Sequence, residues 1–156
     1  MKKATLHIIH GFLGAGKTTF SQKLMKETNA VHLNPDEWCV KLFSKQEYEQ
    51  NWENCFAKTL EILWQQTKNY LLNGTDVIFD SGFWDKASRC NAKSIAIECG
   101  AEFKHYYIYV PDDIAKQRIA LRSGKIADNN IKNYERIKTL FSEPDADETV
   151  IVIHNY

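Results

Sequence analysis

The sequence predicts a three-layer α/β domain, in which helices cover both faces of a parallel β-sheet. Five short apolar runs, each long enough for a buried strand, alternate along the chain with segments whose apolar residues recur every three or four positions. No linker rich in Pro, Gly or Ser divides the 156 residues. We therefore expect one domain over residues 1–156.

The individual elements follow from apolar spacing and from the positions of Gly and Pro. The predicted strands cover residues 6–10, 31–33, 77–80, 103–110 and 149–153. A helix is predicted to begin near residue 37, and further helices to cover 18–27, 46–72, 86–99, 112–121 and 131–141. The aromatic stripe of residues 46–72 is predicted to pack in the core. The polar residues 123–130 are predicted to form a mobile loop, within a lid over about 122–130.

Composition and charge exclude several classes of protein. The chain is 44% hydrophobic and 26% charged, and its 20 basic and 20 acidic residues give no overall field toward polyanions. The four cysteines form no C-x-x-C pair and have no His at the spacing of a zinc site. No apolar stretch has the length of a signal peptide or a membrane span. We expect a cytoplasmic protein without membrane association.

One motif carries most of the functional information. Residues 11–19 have the sequence GFLGAGKTT, which contains the full pattern G-x-x-x-x-G-K-[ST] between a predicted strand and a predicted helix. Its glycines allow backbone N–H groups to turn inward around a phosphate, Lys17 reaches the β- and γ-phosphates, and Thr18 offers a hydroxyl to Mg²⁺. The residues expected to bind the nucleotide are Gly11, Gly14, Ala15, Gly16, Lys17, Thr18 and Thr19.

Two carboxylates follow predicted strands and are candidates for the chemistry. Asp36, in Asn34-Pro35-Asp36, lies beyond the second strand, where it can orient an acceptor hydroxyl and take its proton. The alternative is that Asp36 or Asn34 only caps the next helix. Asp80 ends an apolar strand in the manner of a Walker B acid, which holds Mg²⁺ or positions a substrate. Its alternative role is an ordinary N-cap.

Two arginines are candidates for stabilising the transferring phosphoryl group. Arg118 and Arg122 are four residues apart, hence on one face of a predicted helix, and they precede the predicted lid. In small kinases such arginines neutralise developing charge and the lid excludes water. A solvated basic face is the alternative. Arg122 is expected nearer the lid, and Arg118 nearer the adenine.

Taken together, these segments resemble the small P-loop kinases of the group that includes AAA_33 proteins, zeta toxins and polynucleotide kinases. The resemblance covers nearly the whole chain and rests on GFLGAGKTT, LNPDEW, VIFDSGFWDKASR and YVPDDIAKQRIALR. It implies a P-loop NTPase sandwich with a five-stranded parallel sheet of order 2-3-1-4-5, and ATP and Mg²⁺ as cofactors. It also implies a general base at Asp36, a second acid at Asp80, and lid arginines at Arg118 and Arg122.

The sequence departs from the polynucleotide kinases at one position. Those enzymes follow N-x-D-D-Y with an Arg that grips the substrate's own phosphate, whereas this chain has Cys39 there. Lys41 is the nearest replacement, but a helix would turn it elsewhere. This departure disfavours a nucleic-acid end as the acceptor and favours a small uncharged alcohol, a sugar or an antibiotic.

The function expected from these residues is transfer of the γ-phosphoryl group of ATP to a hydroxyl of a small molecule. Trp38, Phe43, Phe83 and Trp84 are candidate walls of the acceptor pocket. One alternative is a polynucleotide 5′-hydroxyl kinase, and another is a nucleotide-dependent switch with slow ATP hydrolysis. A nucleoside-monophosphate kinase is less favoured because it would need more arginines. The sequence lacks the [NT]-K-x-D motif, which favours ATP over GTP.

Overall fold

Five parallel strands form the sheet of the computed structural model, which describes residues 2–122 and 124–156, without the side chains of 125–127. The strands are β1 Thr5–His10, β2 Val31–Leu33, β3 Val77–Gly82, β4 Glu102–Tyr109 and β5 Ile151–His154. They pair in the order β2-β3-β1-β4-β5, and every pair is parallel. This confirms the predicted sheet and its order.

Eight helices connect and flank the strands in the described part of the chain. They are α1 Lys17–Thr28, α2 Pro35–Leu42, α3 Lys45–Gln50, α4 Trp52–Leu72, α5 Lys86–Glu98, α6 Asp112–Ala120, α7 Lys125–Lys132 and α8 Tyr134–Lys138. None of the helices formed by the described residues is both long and apolar enough to cross a bilayer.

The core has two parts, one on each face of the sheet. Strand side chains point alternately to opposite faces, so Leu6 and Ile8 of β1 pack on one side while Ile9 packs on the other. Helices α4 and α5 bury their apolar residues against the first face, and α1, α6 and α8 do so against the second. Every residue of β1 is buried, as expected for the central strand of a three-layer domain.

The structure corrects two predicted helices and one predicted loop. The single helix predicted over 46–72 is broken at Asn51, which has φ −152° and separates α3 from α4. The loop predicted over 123–130 contains helix α7 instead, and α7 packs against α6. The helix predicted over 131–141 is divided between α7 and α8. Residue 123, at the start of the predicted lid, lies outside the described residues.

The stripe predicted to pack in the core over 46–72 is buried only in part. Its members Leu63 and Leu71 are buried as predicted, on one stripe of α4 with Cys55, Thr59 and Thr67. The stripe that contains Trp52 and Phe56 is rotated from it by one residue, about 100° around the helix. Trp52 is therefore 53% exposed, and Phe56 is only partly buried. Most of the aromatic stripe faces an open cleft.

A buried polar network fastens the chain between α8 and β5 to the sheet. The ring of His10 donates from Nε2 to the carbonyl oxygen of Ser142 at 2.9 Å, so its Nδ1 accepts a hydrogen bond of 2.9 Å from Nε2 of His105. Burial lowers the pKa of His10 to about 3 and that of His105 to about 4, so both rings are neutral at pH 7. Arg89 extends this network through its ion pair with Glu148.

Candidate active site

The loop of residues 11–16 joins β1 to α1 and has the backbone form of a phosphate cradle. Gly14 and Gly16 have φ angles of 75° and 88°, which residues with a Cβ rarely adopt. A Cβ on Gly14 would lie 2.6 Å from the carbonyl oxygen of Ala115, so the loop also needs glycine there for space. Among the described residues no side chain caps the first turn of α1, and the N–H groups at such a helix start can bind an anion.

Lys17 is the first residue of α1 and folds back onto this loop. Its Nζ donates a hydrogen bond of 2.9 Å to the carbonyl oxygen of Phe12. Burial lowers the pKa of Lys17 to about 8, and the nearby carboxylate of Asp80 opposes the shift. The ammonium is thus held in the loop at the cost of part of its hydration, and a bound phosphate would stabilise its charged form.

One cavity of about 710 Å³, named here the phosphate cavity, brings most of the predicted site together. The predicted residues that line it are Gly14, Gly16, Lys17, Thr18, Asp36, Asp80 and Arg122. It lies beyond the carboxyl ends of β1, β2 and β3, where ligands of parallel α/β sheets bind. Four predicted residues do not line it, namely Gly11, Ala15, Thr19 and Arg118. Gly11 instead ties the loop to β3 by donating from its N–H to the carbonyl oxygen of Gly82 at 3.1 Å.

Asp36 is free for chemistry because another residue performs the capping role. The side chain of Asn34 caps α2, accepting hydrogen bonds from the N–H groups of Asp36 at 2.9 Å and Glu37 at 3.3 Å. Desolvation raises the pKa of Asp36, the negative charge of Asp80 raises it further, and Lys17 partly opposes both. A carboxylate with a raised pKa is a stronger proton acceptor, as a general base requires.

Asp80 is buried in β3 and accepts two hydrogen bonds on one oxygen. Oδ2 accepts from the hydroxyl of Ser21 at 3.0 Å and from Nε2 of His32 at 3.1 Å. The hydrogen bond from His32 to Asp80 raises the pKa of that histidine, which favours the charged ring. Asp80 therefore does not act as an N-cap, and Ser21 and His32 fix its orientation. Sequence reasoning missed both partners, although Ser21 follows Lys17 by one helical turn and so shares its face of α1.

The two predicted lid arginines occupy different places. Arg118 lies against the outside of the loop, where its guanidinium donates to the carbonyl oxygens of Gly14 and Ala15, each at 3.4 Å, and to that of Asn155. The side chain of Asn155 also holds the loop, donating to Ala15 at 2.8 Å. Arg122 lies past the end of α6, so the prediction of one shared helix face is wrong. Of these two arginines, Arg122 lines the phosphate cavity and Arg118 does not.

A second, larger cavity of about 1340 Å³ opens beside the phosphate cavity and is named here the aromatic cleft. Six aromatic side chains line it, namely Tyr48, Trp52, Phe56, Trp64, Phe83 and Trp84. Trp64 is anchored by stacking on buried Phe79, with ring centroids 3.9 Å apart. The two cavities share Asp36, Ser81 and Trp84 as lining residues. Asp36 therefore lies between a phosphate cradle and a ring-lined cleft.

The turn after β3 places Phe83 and Trp84 at this junction. Phe83 is a buried non-glycine residue with φ 51°, a strained conformation that its surroundings must maintain. The guanidinium of Arg89 donates to the Phe83 carbonyl oxygen at 3.0 Å. The next residue, Trp84, donates from Nε1 to the carbonyl oxygen of Gly11 at 3.3 Å, so the cleft wall contacts the phosphate loop directly.

The other two aromatic residues proposed for the acceptor pocket lie elsewhere. Trp38 packs against the core under α2. Phe43 lines a separate hollow of about 1060 Å³, named here the outer hollow, together with Val40 and Lys45. The outer hollow also reaches Asp36, but it shares no other residue with the phosphate cavity. The aromatic cleft is therefore better connected to the phosphate loop.

Comparison with known proteins agrees with this geometry. The model of the AAA_33 family, described as an AAA domain, matches residues 6–144. Among proteins with curated functions, none matches the sequence.

Solved structures share the fold at low sequence identity. A sugar kinase from Janibacter sp. HTCC2649 superposes with a TM-score of 0.67 at 15% identity, covering 98% of this chain and 86% of that one. A gluconokinase from Sinorhizobium meliloti 1021 gives 0.67 at 10% identity, covering 99% and 85%. Chaetomium thermophilum Kti12 in complex with ADP-AlF3 gives 0.68 at 16% identity, covering 96% and 88%. These likenesses establish a P-loop kinase-like fold.

Proposed function

Because the chain belongs to the AAA_33 family and has a P-loop kinase-like fold, we propose that it transfers the γ-phosphoryl group of ATP to a hydroxyl of a small molecule. The observation that carries this proposal is the position of Asp36. Its carboxylate lines both the phosphate cavity and the aromatic cleft. A general base for phosphoryl transfer must reach the acceptor hydroxyl beside the donor phosphate, and a residue that lines both cavities can meet this requirement.

The proposed reaction uses the residues of the phosphate cavity in distinct roles. The acceptor oxygen forms a bond to the γ-phosphorus as the bond from that phosphorus to the β–γ bridging oxygen breaks, and ADP leaves. Asp36 orients the acceptor hydroxyl and takes its proton. Lys17 and the loop amides stabilise charge on the β- and γ-phosphates, and Arg122 stabilises the transferring group. Arg118 supports the loop from outside, so we assign it a positioning role rather than the direct role expected from sequence.

The residues present also fit a magnesium ion. The described residues contain no cluster of three or more His, Cys, Asp or Glu that could hold a metal by themselves. Mg²⁺ is usually held by one or two carboxylates together with phosphates and water, so such a cluster is not needed. Thr18 and Asp80 would supply the protein oxygens, and the bound ion would neutralise charge on the phosphates. Ser21 and His32 both bond Oδ2 of Asp80, and Oδ1 takes no part in those bonds.

Replacement of Asp36 by Asn tests the proposal. Acceptor-dependent release of ADP should fall by about 10²–10⁴-fold, because Asn cannot take the proton, while ATP affinity stays close to that of the unmodified chain. Glu37→Gln is the matched control, since Glu37 is also an acidic residue of the first turn of α2 but lines neither cavity. We expect this control to keep its activity. Full turnover by Asp36→Asn would show that the base is elsewhere.

Replacement of Lys17 by Ala tests the donor half. This variant should lose both nucleotide affinity and transfer, because it removes the ammonium that lines the phosphate cavity. In the unmodified chain, ATP hydrolysis that no acceptor accelerates would support the nucleotide-dependent switch rather than a kinase. Selective phosphorylation of oligonucleotide 5′ ends, with an affinity that falls steeply with salt, would support the polynucleotide kinase.

A further inference from the structure

The aromatic cleft has a composition that selects among acceptors. Its rings come from three places in the sequence: Tyr48 and Trp52 at the α3–α4 junction, Phe56 and Trp64 farther along α4, and Phe83 and Trp84 from the turn after β3. Exposed ring faces offer flat apolar surface to an equally flat ligand. Trp52 is 53% exposed, so its ring is available to a ligand, whereas Phe83 is buried and contacts the ring of Trp64, with centroids 6.4 Å apart.

The charges of the cleft have one sign. Its charged lining residues are Asp36 and Asp85, and none of the lining residues that the structure describes is a Lys, Arg or His. Asp85 stays in place because its Oδ1 accepts the hydrogen bond of the Ser88 N–H, at 2.6 Å, as the N-cap of α5. Two carboxylates repel a phosphate or carboxylate on an acceptor and attract an ammonium, which can also lie over the aromatic faces.

The position of Cys39 also leaves the space around Asp36 without a positive charge. Its side chain is 2% exposed and its thiol donates to the hydroxyl of Thr59 at 3.2 Å, beneath α2 and against α4. A buried thiol at this position offers no positive charge to the space around Asp36. Lys41 lies over the ring of Trp38, 5.8 Å from its centroid, and does not line the cleft. The helix that follows Asp36 therefore contributes no cation to acceptor recognition.

We infer that the acceptor is a cationic or uncharged alcohol with a flat, ring-bearing body, and that acceptors bearing phosphate or carboxylate are rejected. This inference rests on the proposed function, since it takes the aromatic cleft as the acceptor side of Asp36. The ring of the acceptor lies against the exposed ring of Trp52, within the aromatic cleft. An ammonium, where the acceptor has one, lies toward Asp85, and the hydroxyl reaches Asp36.

Three probes of nearly the same size test the inference. Phenylalaninol, 3-phenyl-1-propanol and tropic acid each carry one phenyl ring and one primary hydroxyl, and they are cationic, neutral and anionic at pH 7. Their binding is measured by calorimetry in the presence of a non-hydrolysable ATP analogue. We expect phenylalaninol to bind at least about tenfold more tightly than tropic acid, with the neutral alcohol between them.

Variants identify the groups responsible. Asp85→Asn keeps a good helix cap but removes the charge, so it should reduce the preference for phenylalaninol over tropic acid several-fold. Asp113→Asn, an equal loss of charge at an exposed position of α6, should leave that preference unchanged. Trp52→Ala should weaken all three probes together, because it removes a ring and no charge. Val40→Ala, in the outer hollow, should leave all three unchanged.

The outcomes separate this inference from the proposed function. Tropic acid binding as tightly as phenylalaninol, or failure of all three probes to bind at millimolar concentration, would overturn the acceptor class. The same holds if Val40→Ala weakens the probes and Trp52→Ala does not. Release of ADP is measured separately with each probe. The expected binding order without any transfer would overturn the kinase proposal alone, and transfer only to the anionic alcohol would overturn the acceptor class alone.

Discussion

Replacement of Arg89 by Met gives a direct test of how the turn after β3 is held. The Arg89 side chain is 1% exposed and pairs with Glu148 through two hydrogen bonds, of 2.8 and 3.1 Å. It also donates to the carbonyl oxygens of Phe83 at 3.0 Å and Ser142 at 3.3 Å. Met approximates the length of the side chain but makes none of these bonds. The substitution therefore leaves the Glu148 carboxylate, itself only 12% exposed, without its cation.

The size of the effect follows from the ion pair. Burial by itself would raise the pKa of Glu148, but the hydrogen bonds from Arg89, helped by one from the backbone N–H of Asp145, lower it from 4.5 to about 2. At about 1.4 kcal/mol per pH unit, this corresponds to roughly 3 kcal/mol of stability at neutral pH. Removing one partner of a buried pair typically costs about 3–5 kcal/mol. We expect the free energy of unfolding to fall by that amount.

The stability loss of Arg89→Met should depend on pH in a definite direction. A carboxylate whose folded pKa is lowered stabilises the fold fully above its unfolded pKa, and this contribution is lost as the pH falls from 4.5 toward 2. The difference between Arg89→Met and the unmodified chain should therefore be largest near pH 7 and should shrink below pH 4.5. Urea unfolding followed by tryptophan fluorescence at several pH values measures it.

Lys86 provides the matched control on the same helix. Its ammonium pairs with Asp145 at 2.8 Å and Asp147 at 3.0 Å, in the same segment that Arg89 holds, but it is 41% exposed. Lys86→Met should therefore cost much less, because water replaces an exposed pair. Equal stability losses in the two variants, or an Arg89→Met loss that does not change with pH, would show that the buried pair of Arg89 and Glu148 does not stabilise this turn. Arg89→Met should also weaken acceptor binding, because Phe83 loses the bond that maintains its strained backbone.

Two further predictions concern the phosphate cavity. The profile of kcat/KM against pH should be bell-shaped. On the acid side, activity falls as Asp36 is protonated, and because its pKa is raised this happens at a higher pH than for an ordinary carboxyl group. On the alkaline side, activity falls near pH 8, where Lys17 loses its proton. A profile without an alkaline limb would contradict the role of Lys17. Gly14→Ala should lower both stability and ATP affinity, because the new methyl group meets the Ala115 carbonyl, and calorimetry with thermal unfolding measures both. Gly74→Ala is its control, because Gly74 has a similar φ of 81° but open space around a new methyl group. It should lower the free energy of unfolding by at least about 1 kcal/mol less than Gly14→Ala. Equal losses of stability would show that the Ala115 contact is unimportant.

The sequence identified the sheet, the phosphate loop and the acids because their signals are local. An apolar strand, a glycine-rich turn and an amphipathic helix must follow one another directly for the loop to form, so residues 5–28 contain all of that information. Asp36 and Asp80 each follow or end a strand, and carboxyl ends of parallel strands meet at one edge. Their convergence in one cavity could therefore be expected before the tertiary structure was known.

The helical prediction failed where local pattern and packing disagree. The aromatic residues of α4 recur at helical spacing, which predicts a buried face equally well for either of two neighbouring stripes. Leu63 and Leu71 of the predicted stripe are buried, whereas Trp52, which lies on the neighbouring stripe, is 53% exposed. The polar composition of 123–130 likewise favoured a loop, whereas packing against α6 accompanies helix α7.

Local sequence patterns were thus enough to predict the donor half of the proposed site, whereas the proposed acceptor half depends on tertiary packing. The phosphate loop is one continuous segment whose backbone angles are set by its own glycines. The aromatic cleft joins side chains from α3, α4 and the turn after β3, and its turn is held by Arg89 from α5. Ser21 and His32 meet Asp80 from two other elements. Such contacts depend on which helix face packs against the sheet, and that choice is made only when the whole chain folds.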